Sequence, residues 1–263
     1  MAKTDHLELG NGEKIAILHE DRSVIALDKP RGWMLVPYSW QKTDRNLQAA
    51  INSAIAARLF WARSRNLRYL RYIHRLDAET SGVLLFAKNP GAVRALSDLF
   101  ESRSMEKIYL AVAHGAPKQS EWLCRLKLAQ NPRQIGTVKV DARHGKEAET
   151  QFRVLQTRTE PENERPGSPH ELTLIEARPI TGRTHQIRVH LAAGGHPVIG
   201  DKLYGPALAA AKDRDPRLGL RAVALSYSDP FTKRRVWIQA PCEEFVRQFG
   251  FDVPKGFGVD VPG

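Results

Sequence analysis

Between two stretches that read as strands, the chain places a compact run of functional side chains: His74 and Arg75, then Asp77, Glu79, Thr80 and Ser81. Arg71 to Leu76 is rich in β-formers, and Gly82 opens an apolar run from Val83 to Ala87, the pattern of a buried strand. Asp, Thr, Ser and Gly are also ordinary turn residues that bond their own backbone, so a tight turn accounts for each of them singly. Taken as chemistry, the corner offers carboxylates to a cleft. Asp77 and Glu79 would suit a glycosidase or N-ribosyl hydrolase with an acid/base pair, but carboxylates so close in a turn rarely face each other across a sugar. A single carboxylate working ionised in a site shielded from water needs a fixed cation nearby, because burial alone favours the neutral acid.

A second dense run, Thr181 to Leu191, contains Arg183, Thr184, His185, Gln186, Arg188 and His190, and is followed by His196. The histidine spacings of five and six do not stack on one helical face, and no Cys or carboxylate cluster completes a zinc-like set. Structural, hydrogen-bonding histidines are therefore the expectation, and no metal is assigned. The chain also carries no Gly-rich phosphate loop.

The string His74-Arg75-Leu76-Asp77-x-x-Thr80-Ser81-Gly82 resembles the signature of the RluA family of pseudouridine synthases. Three further strings are similar to the same family: Asp28-Lys29-Pro30-x-Gly32, Lys107-x-Tyr109-Leu110-Ala111-Val112-x-x-Gly115, and Gly182-Arg183-Thr184-His185-Gln186-Ile187-Arg188-Val189-His190. The resemblance spans residues 14 to about 250. One departure is Leu220-Arg221-Ala222, where relatives often have Leu-His-Ala.

What the resemblance implies is an α+β pseudouridine synthase fold: a mixed, largely antiparallel central sheet flanked by helices and loops, with the active-site cleft across it. The implied reaction isomerises uridine in structured RNA. The C1′–N1 bond breaks, the uracil turns, and C5 joins C1′, without a cofactor. Asp77 would be the catalytic carboxylate, as nucleophile at C1′ or base at C2′. Arg188 would be its cationic partner, an Arg being permanently charged and able to hold a carboxylate in a fork. Tyr109 would stack on the uracil and assist proton removal from C5, with Leu225 as the apolar wall opposite. His74, Arg75, Thr80, Arg183, His185 and Gln186 complete the expected substrate-binding set. The target base must be flipped or already unpaired, at a cost of about a few kcal/mol for a stacked base, and Arg75 is expected to fill the space it leaves.

The elements that must position these residues are legible in part. Ile15 to Leu18 and Val24 to Leu27 read as a hairpin, with Leu7 and Leu9 able to add an edge strand. Leu47, Ile51, Ala54, Ile55, Leu59 and Phe60 recur at helical spacing from Asn46 to about Ser64, and Arg58, Arg63, Arg65, Arg68 and Arg71 make the exit basic, either as a solvated face or as a phosphate-contacting ridge. Pro90 suits the first turn of a helix through Ser102. Lys107 to Ala113 reads as a strand, 116–148 as an exposed basic hairpin arm, Glu149 to Leu155 and Glu171 to Ile180 as antiparallel strands joined by a Pro-rich loop. Thr184 is expected to cap a helix that stops at Gly194. Leu220 to Ser228 and Arg234 to Gln239 read as two last strands, and Pro241 to Phe249 as a short helix.

With 263 residues the chain can bury a core without disulfides or metals. The expected organisation is a lead at 1–13, a catalytic domain at 14–250 without an S4-like segment, and a tail at 251–263. Forty Lys and Arg against 29 Asp and Glu, a formal charge of +11, favour a polyanionic partner. RNA leads, with ribosomal RNA favoured over transfer RNA. A membrane is not expected, since no apolar span of about 20 residues occurs. The polar start, Met1 to Glu8, lacks a signal-peptide core, and Cys124 and Cys242 fit no paired motif; the cytoplasm is the expected compartment. No protein partner is implied, and a monomer is the default. The competing reading is a non-catalytic RNA-binding protein that retains the synthase fold.

Overall fold

A computed structural model describes residues 3–35, 45–160, 170–205 and 217–254. The Pro-rich loop, the linker after Gly205 and most of the tail expected from sequence lie outside these residues. In chain order the elements are β1 (His6–Glu8), β2 (Lys14–Glu20), β3 (Val24–Lys29), α1 (Leu47–Ala56), α2 (Phe60–Arg63), β4 (Arg71–Tyr72), β5 (Ser81–Ala87), α3 (Pro90–Glu101), β6 (Glu106–His114), β7 (Glu121–Cys124), β8 (Leu128–Gln130), β9 (Val138–Val140), β10 (Thr150–Glu160), β11 (His170–Pro179), α4 (Gln186–Ala193), β12 (Leu220–Ser228), β13 (Arg235–Gln239) and α5 (Glu243–Arg247). The fold is α+β with largely antiparallel strands. It divides into two compact units, Met1–Glu106 with Ala222–Ala240, and Lys107–Arg221 with Pro241–Gly263.

In the first unit the expected hairpin forms: β2 pairs β3, β3 pairs β5 in the register Leu27↔Leu84 and Lys29↔Gly82, and β4 pairs β5. The apolar run in β5 buries both its faces, as a central strand should. Val83, Leu85 and Ala87 pack with Val24, Ala26, Leu96, Leu225, Tyr227 and Ile238 in one core. Asn46 and Asn89 cap α1 and α3 by accepting the Ala49 and Ala92 N–H groups, and Pro90 occupies the first turn of α3, where its missing N–H costs nothing.

The expected single helix to Ser64 is broken after α1, where Arg58 adopts φ 52°, and Phe60 is exposed rather than core. Arg65 does not belong to a phosphate ridge. Its Nε donates to Glu20 Oε2 at 2.8 Å, and only 2% of its side chain is exposed. Burial raises the Glu20 pKa, but hydrogen bonds from Lys88, Lys3 and Arg65 outweigh it and hold the carboxyl at about 2.

In the second unit β11 lies between β6 and β10, and β7 extends β10. The basic arm is only partly exposed. β8 and β9 form a separate two-stranded sheet whose Leu128 and Val138 pack with Ala148 and with Val189 of α4. Ion pairs Lys127–Glu147 and Lys139–Asp141 neutralise some of the arm's charge.

Candidate active site

In the first unit, the Asp77 corner hangs on the end of β3. The Ala78 carbonyl accepts both the Gly32 N–H at 2.8 Å and the Lys29 Nζ at 2.9 Å. Lys29 is fully buried, and its ammonium also donates to the Pro30 carbonyl at 2.9 Å. Asp77 itself is half-buried, and its carbonyl accepts the Thr80 N–H at 3.1 Å to close the turn. Thr80 is buried, with no hydrogen bond to Oγ1 among the described residues, which is a cost unless a bound molecule supplies the partner. Arg75 is exposed. Arg31 pairs Glu79 at 3.0 Å, so Glu79 is tied up in an exposed ion pair.

Other expected site residues of this unit serve packing. The His74 ring accepts the Leu85 N–H on Nε2 at 3.2 Å and stacks on Phe100 at 5.0 Å. Leu225 is buried within the core of the unit.

Lys29 is a member of the site that its residue type and neighbours in the Asp28-Lys29-Pro30-x-Gly32 string do not single out. Burial pulls the Lys29 pKa down to about 7 despite the favourable charges of Asp77 and Glu79. The folded pKa thus lies below that of an unfolded lysine, so between pH 7 and about 10 the unfolded chain binds the extra proton. Stability should rise with pH through that window and carry the full penalty below it, up to about 5 kcal/mol. Lys107, lowered by burial to about 8, adds a similar slope. The difference between native and Lys29→Met proteins isolates Lys29: in urea unfolding from pH 6 to 9 the native protein should gain stability relative to the variant. A pH-independent difference would show that Lys29 is not buried charged.

In the second unit Tyr109 sits in β6 opposite Ala177 of β11 and is buried. Two residues earlier in the strand, Lys107 Nζ donates to the Thr181 carbonyl at 3.3 Å, tying β6 to the turn that starts the Arg183 string. Thr184 does not cap α4. The N-cap is His185, in the left-handed region with φ 52°, a conformation that costs on the order of 1 kcal/mol for a non-glycine residue. Gln186 shapes the helix start instead. Its Oε1 accepts the Thr181 hydroxyl and the Arg183 N–H, and its Nε2 donates to Glu149 O and Thr150 Oγ1, all within 2.7–3.0 Å. These fill the whole hydrogen-bonding inventory of a carboxamide, so Gln186 is a structural keystone rather than a substrate contact. Arg183 is exposed and donates from Nε to the Glu147 carbonyl at 3.0 Å.

Arg188 is buried on α4 and forms a fork on Asp201, Nε to Oδ2 and Nη2 to Oδ1, both at 2.7 Å. Burial raises the Asp201 pKa, but Arg188 and the Leu203 and Tyr204 N–H groups overcome it and keep the carboxylate ionised. Asp201 is the second residue that sequence reading did not assign. It lies in the string Gly200-Asp201-Lys202-Leu203-Tyr204-Gly205, whose acid and turn glycines were the only signal. His190 and His196 are structural: His190 is bonded to Thr150 Oγ1 and Leu126 O, and His196 to His114 O, each at 3.0 Å.

Residues 23–193 match the family model described as RNA pseudouridylate synthase. The ribosomal large subunit pseudouridine synthase C of Haemophilus ducreyi is 34% identical over 236 residues, which is 88% of this chain and 67% of that protein. Its counterpart in Escherichia coli K12 is 32% identical over 258 residues, 94% of this chain and 72% of that one. The solved human RNA pseudouridylate synthase domain containing 1 has a similar fold, with a TM-score of 0.67 at 24% identity over 89% of this chain and 86% of that one.

Proposed function

Because this chain belongs to the RluA family of RNA pseudouridine synthases, we propose that Asp77 is its catalytic carboxylate and that its substrate is uridine in the RNA of the large ribosomal subunit. The observation that carries the reading is the Asp77 turn itself. It is anchored through the Ala78 carbonyl by the buried Lys29 at the end of β3 and by the Gly32 N–H, so the backbone that carries the carboxylate is fixed before substrate arrives.

In the proposed reaction Asp77 attacks C1′, or removes the C2′ proton, as the C1′–N1 bond breaks. The detached uracil turns within the site and C5 bonds to C1′, as the Asp77–C1′ bond breaks on the first route or as the proton returns from Asp77 to C2′ on the second. The C5 proton is then lost, with Tyr109 stacked on the ring and assisting its removal. Arg188, charged and held in place by Asp201, supplies the fixed cation that an ionised carboxylate needs in a shielded site. Thr80 Oγ1 is available to hydrogen-bond bound RNA. We assign the activity to the cytoplasm and to a monomer, the ribosomal relatives supporting that compartment.

Arg75 is proposed to occupy the gap left by the flipped base. Arg75→Ala should therefore lose activity on a base-paired target by about tenfold while keeping it on the same sequence unpaired. Equal activity on both RNAs would refute that role.

The test of the reaction is tritium release from a large-subunit RNA transcript carrying 5-tritiated uridine, with free uracil measured alongside. Release without free base supports isomerisation. Free uracil would indicate a hydrolase, and RNA binding without release would favour a synthase fold that has lost its chemistry. A matched transfer RNA transcript tests the ribosomal preference.

A further inference from the structure

Tyr204 stands at a junction that the reaction does not explain. Its hydroxyl accepts the Val138 N–H of β9 at 2.9 Å and lies 2.8 Å from His185 Nδ1. Its ring packs edge-on against His185 at 5.5 Å, and the Arg188 guanidinium lies 5.2 Å from the ring centre. Its backbone N–H donates to Asp201 Oδ1 at 3.1 Å, the oxygen that also holds Arg188 Nη2. One side chain therefore touches the β8–β9 hairpin, the left-handed residue that opens α4, and the Arg188–Asp201 fork.

The hairpin is built to reach outward. Its base packs through Leu128 and Val138 on Val189, one residue from Arg188, with Tyr204 against the same cluster. Its tip carries Ile135, 92% exposed, between Arg133 and Lys139. A bare isoleucine among cations suits RNA, where an apolar side chain meets a base face and the cations meet phosphates. The Val138–Tyr204 bond connects that outward segment to the guanidinium.

We propose that Tyr204 is a positioning residue that couples the β8–β9 hairpin to Arg188, so that RNA held at the hairpin tip sets the orientation of the arginine. The inference rests on Arg188 belonging to the catalytic machinery. Coupling of this kind appears as non-additivity between sites that do not touch. A residue that only maintains the fold would lower thermal stability instead and would leave the two effects independent.

The experiment is a double-mutant cycle in single-turnover tritium release, using the full chain, saturating enzyme and a large-subunit RNA transcript carrying 5-tritiated uridine. The variants are Tyr204→Phe, the tip pair Arg133→Ala with Ile135→Ala, and their combination. Tyr204→Phe keeps the ring and should slow the bound-state rate by about ten- to hundredfold, with RNA affinity and melting temperature near native. The tip pair should slow it comparably, and the combination no further than the slower single variant. A native rate for Tyr204→Phe, or multiplying effects in the combination, overturns the coupling. Arg188→Lys separates the premise: full activity there would overturn both the coupling and the role given to Arg188. An inactive Arg188→Lys with multiplying effects would overturn the coupling alone.

Discussion

Asp77→Asn is expected to abolish tritium release from 5-tritiated RNA, lowering the single-turnover rate by about 10,000-fold or more. The amide keeps the shape of the carboxylate but can neither attack C1′ nor take a proton from C2′, so either proposed route fails. Folding should survive. The hydrogen bonds that hold the turn run through the Asp77 and Ala78 carbonyls and the Lys29 ammonium, none of which the substitution removes. One side effect is measurable: Asp77 is the foremost charge keeping the Lys29 pKa from falling further, so the variant's lysine should titrate lower and its stability should climb more steeply with pH between 6 and 8. Tight RNA binding with no release identifies Asp77 as the catalyst. Residual activity near the native level would move the chemistry to another group.

Gly82→Ala is expected to have the largest effect on the fold. Gly82 adopts φ +109°, and a Cβ built there would stand 1.9 Å from the Ala222 carbonyl oxygen, 2.7 Å from its carbon and 2.8 Å from the Ala222 nitrogen. All three are backbone atoms, so β5 and β12 would have to separate beside the core that Val83, Leu85 and Leu225 share. A penalty of more than about 4 kcal/mol is expected, a large part of the about 5–15 kcal/mol that holds a typical domain together. Gly12→Ala is the control, since Gly12 has φ +81° but nothing within 4 Å of the added carbon. Only the conformational penalty, about 1 kcal/mol, applies there. Urea unfolding with limited proteolysis should show Gly82→Ala broadly protease-sensitive and Gly12→Ala near native. Similar stability of the two variants would mean that the strands do not approach as closely as described.

The amino-acid sequence by itself determined the local alphabet of this fold. β3, β5, β6, β10 and β11 follow from runs of β-branched and apolar residues, and α3 from its proline at the first turn with Leu96 at helical spacing. The Asp77 corner was recognisable because its polar residues sit between two apolar segments in a string shared with one enzyme family. Only the tertiary structure decided what the charged and polar residues do. Lys29 is indistinguishable in sequence from a solvated loop lysine until Ala78, 49 positions away, supplies its acceptor. Arg65 looks like part of a basic exit until Glu20 buries it, and Gln186 looks free for substrate until four protein partners occupy it. Arg188 was expected to be a carboxylate partner, but the fork to Asp201 across 13 positions came from the fold of the turn after α4. Local propensity and periodicity are carried by neighbouring residues and can be read directly. Desolvation, hydrogen-bond satisfaction and pKa depend on atoms brought together from distant parts of the chain, and these appear only once the chain is folded.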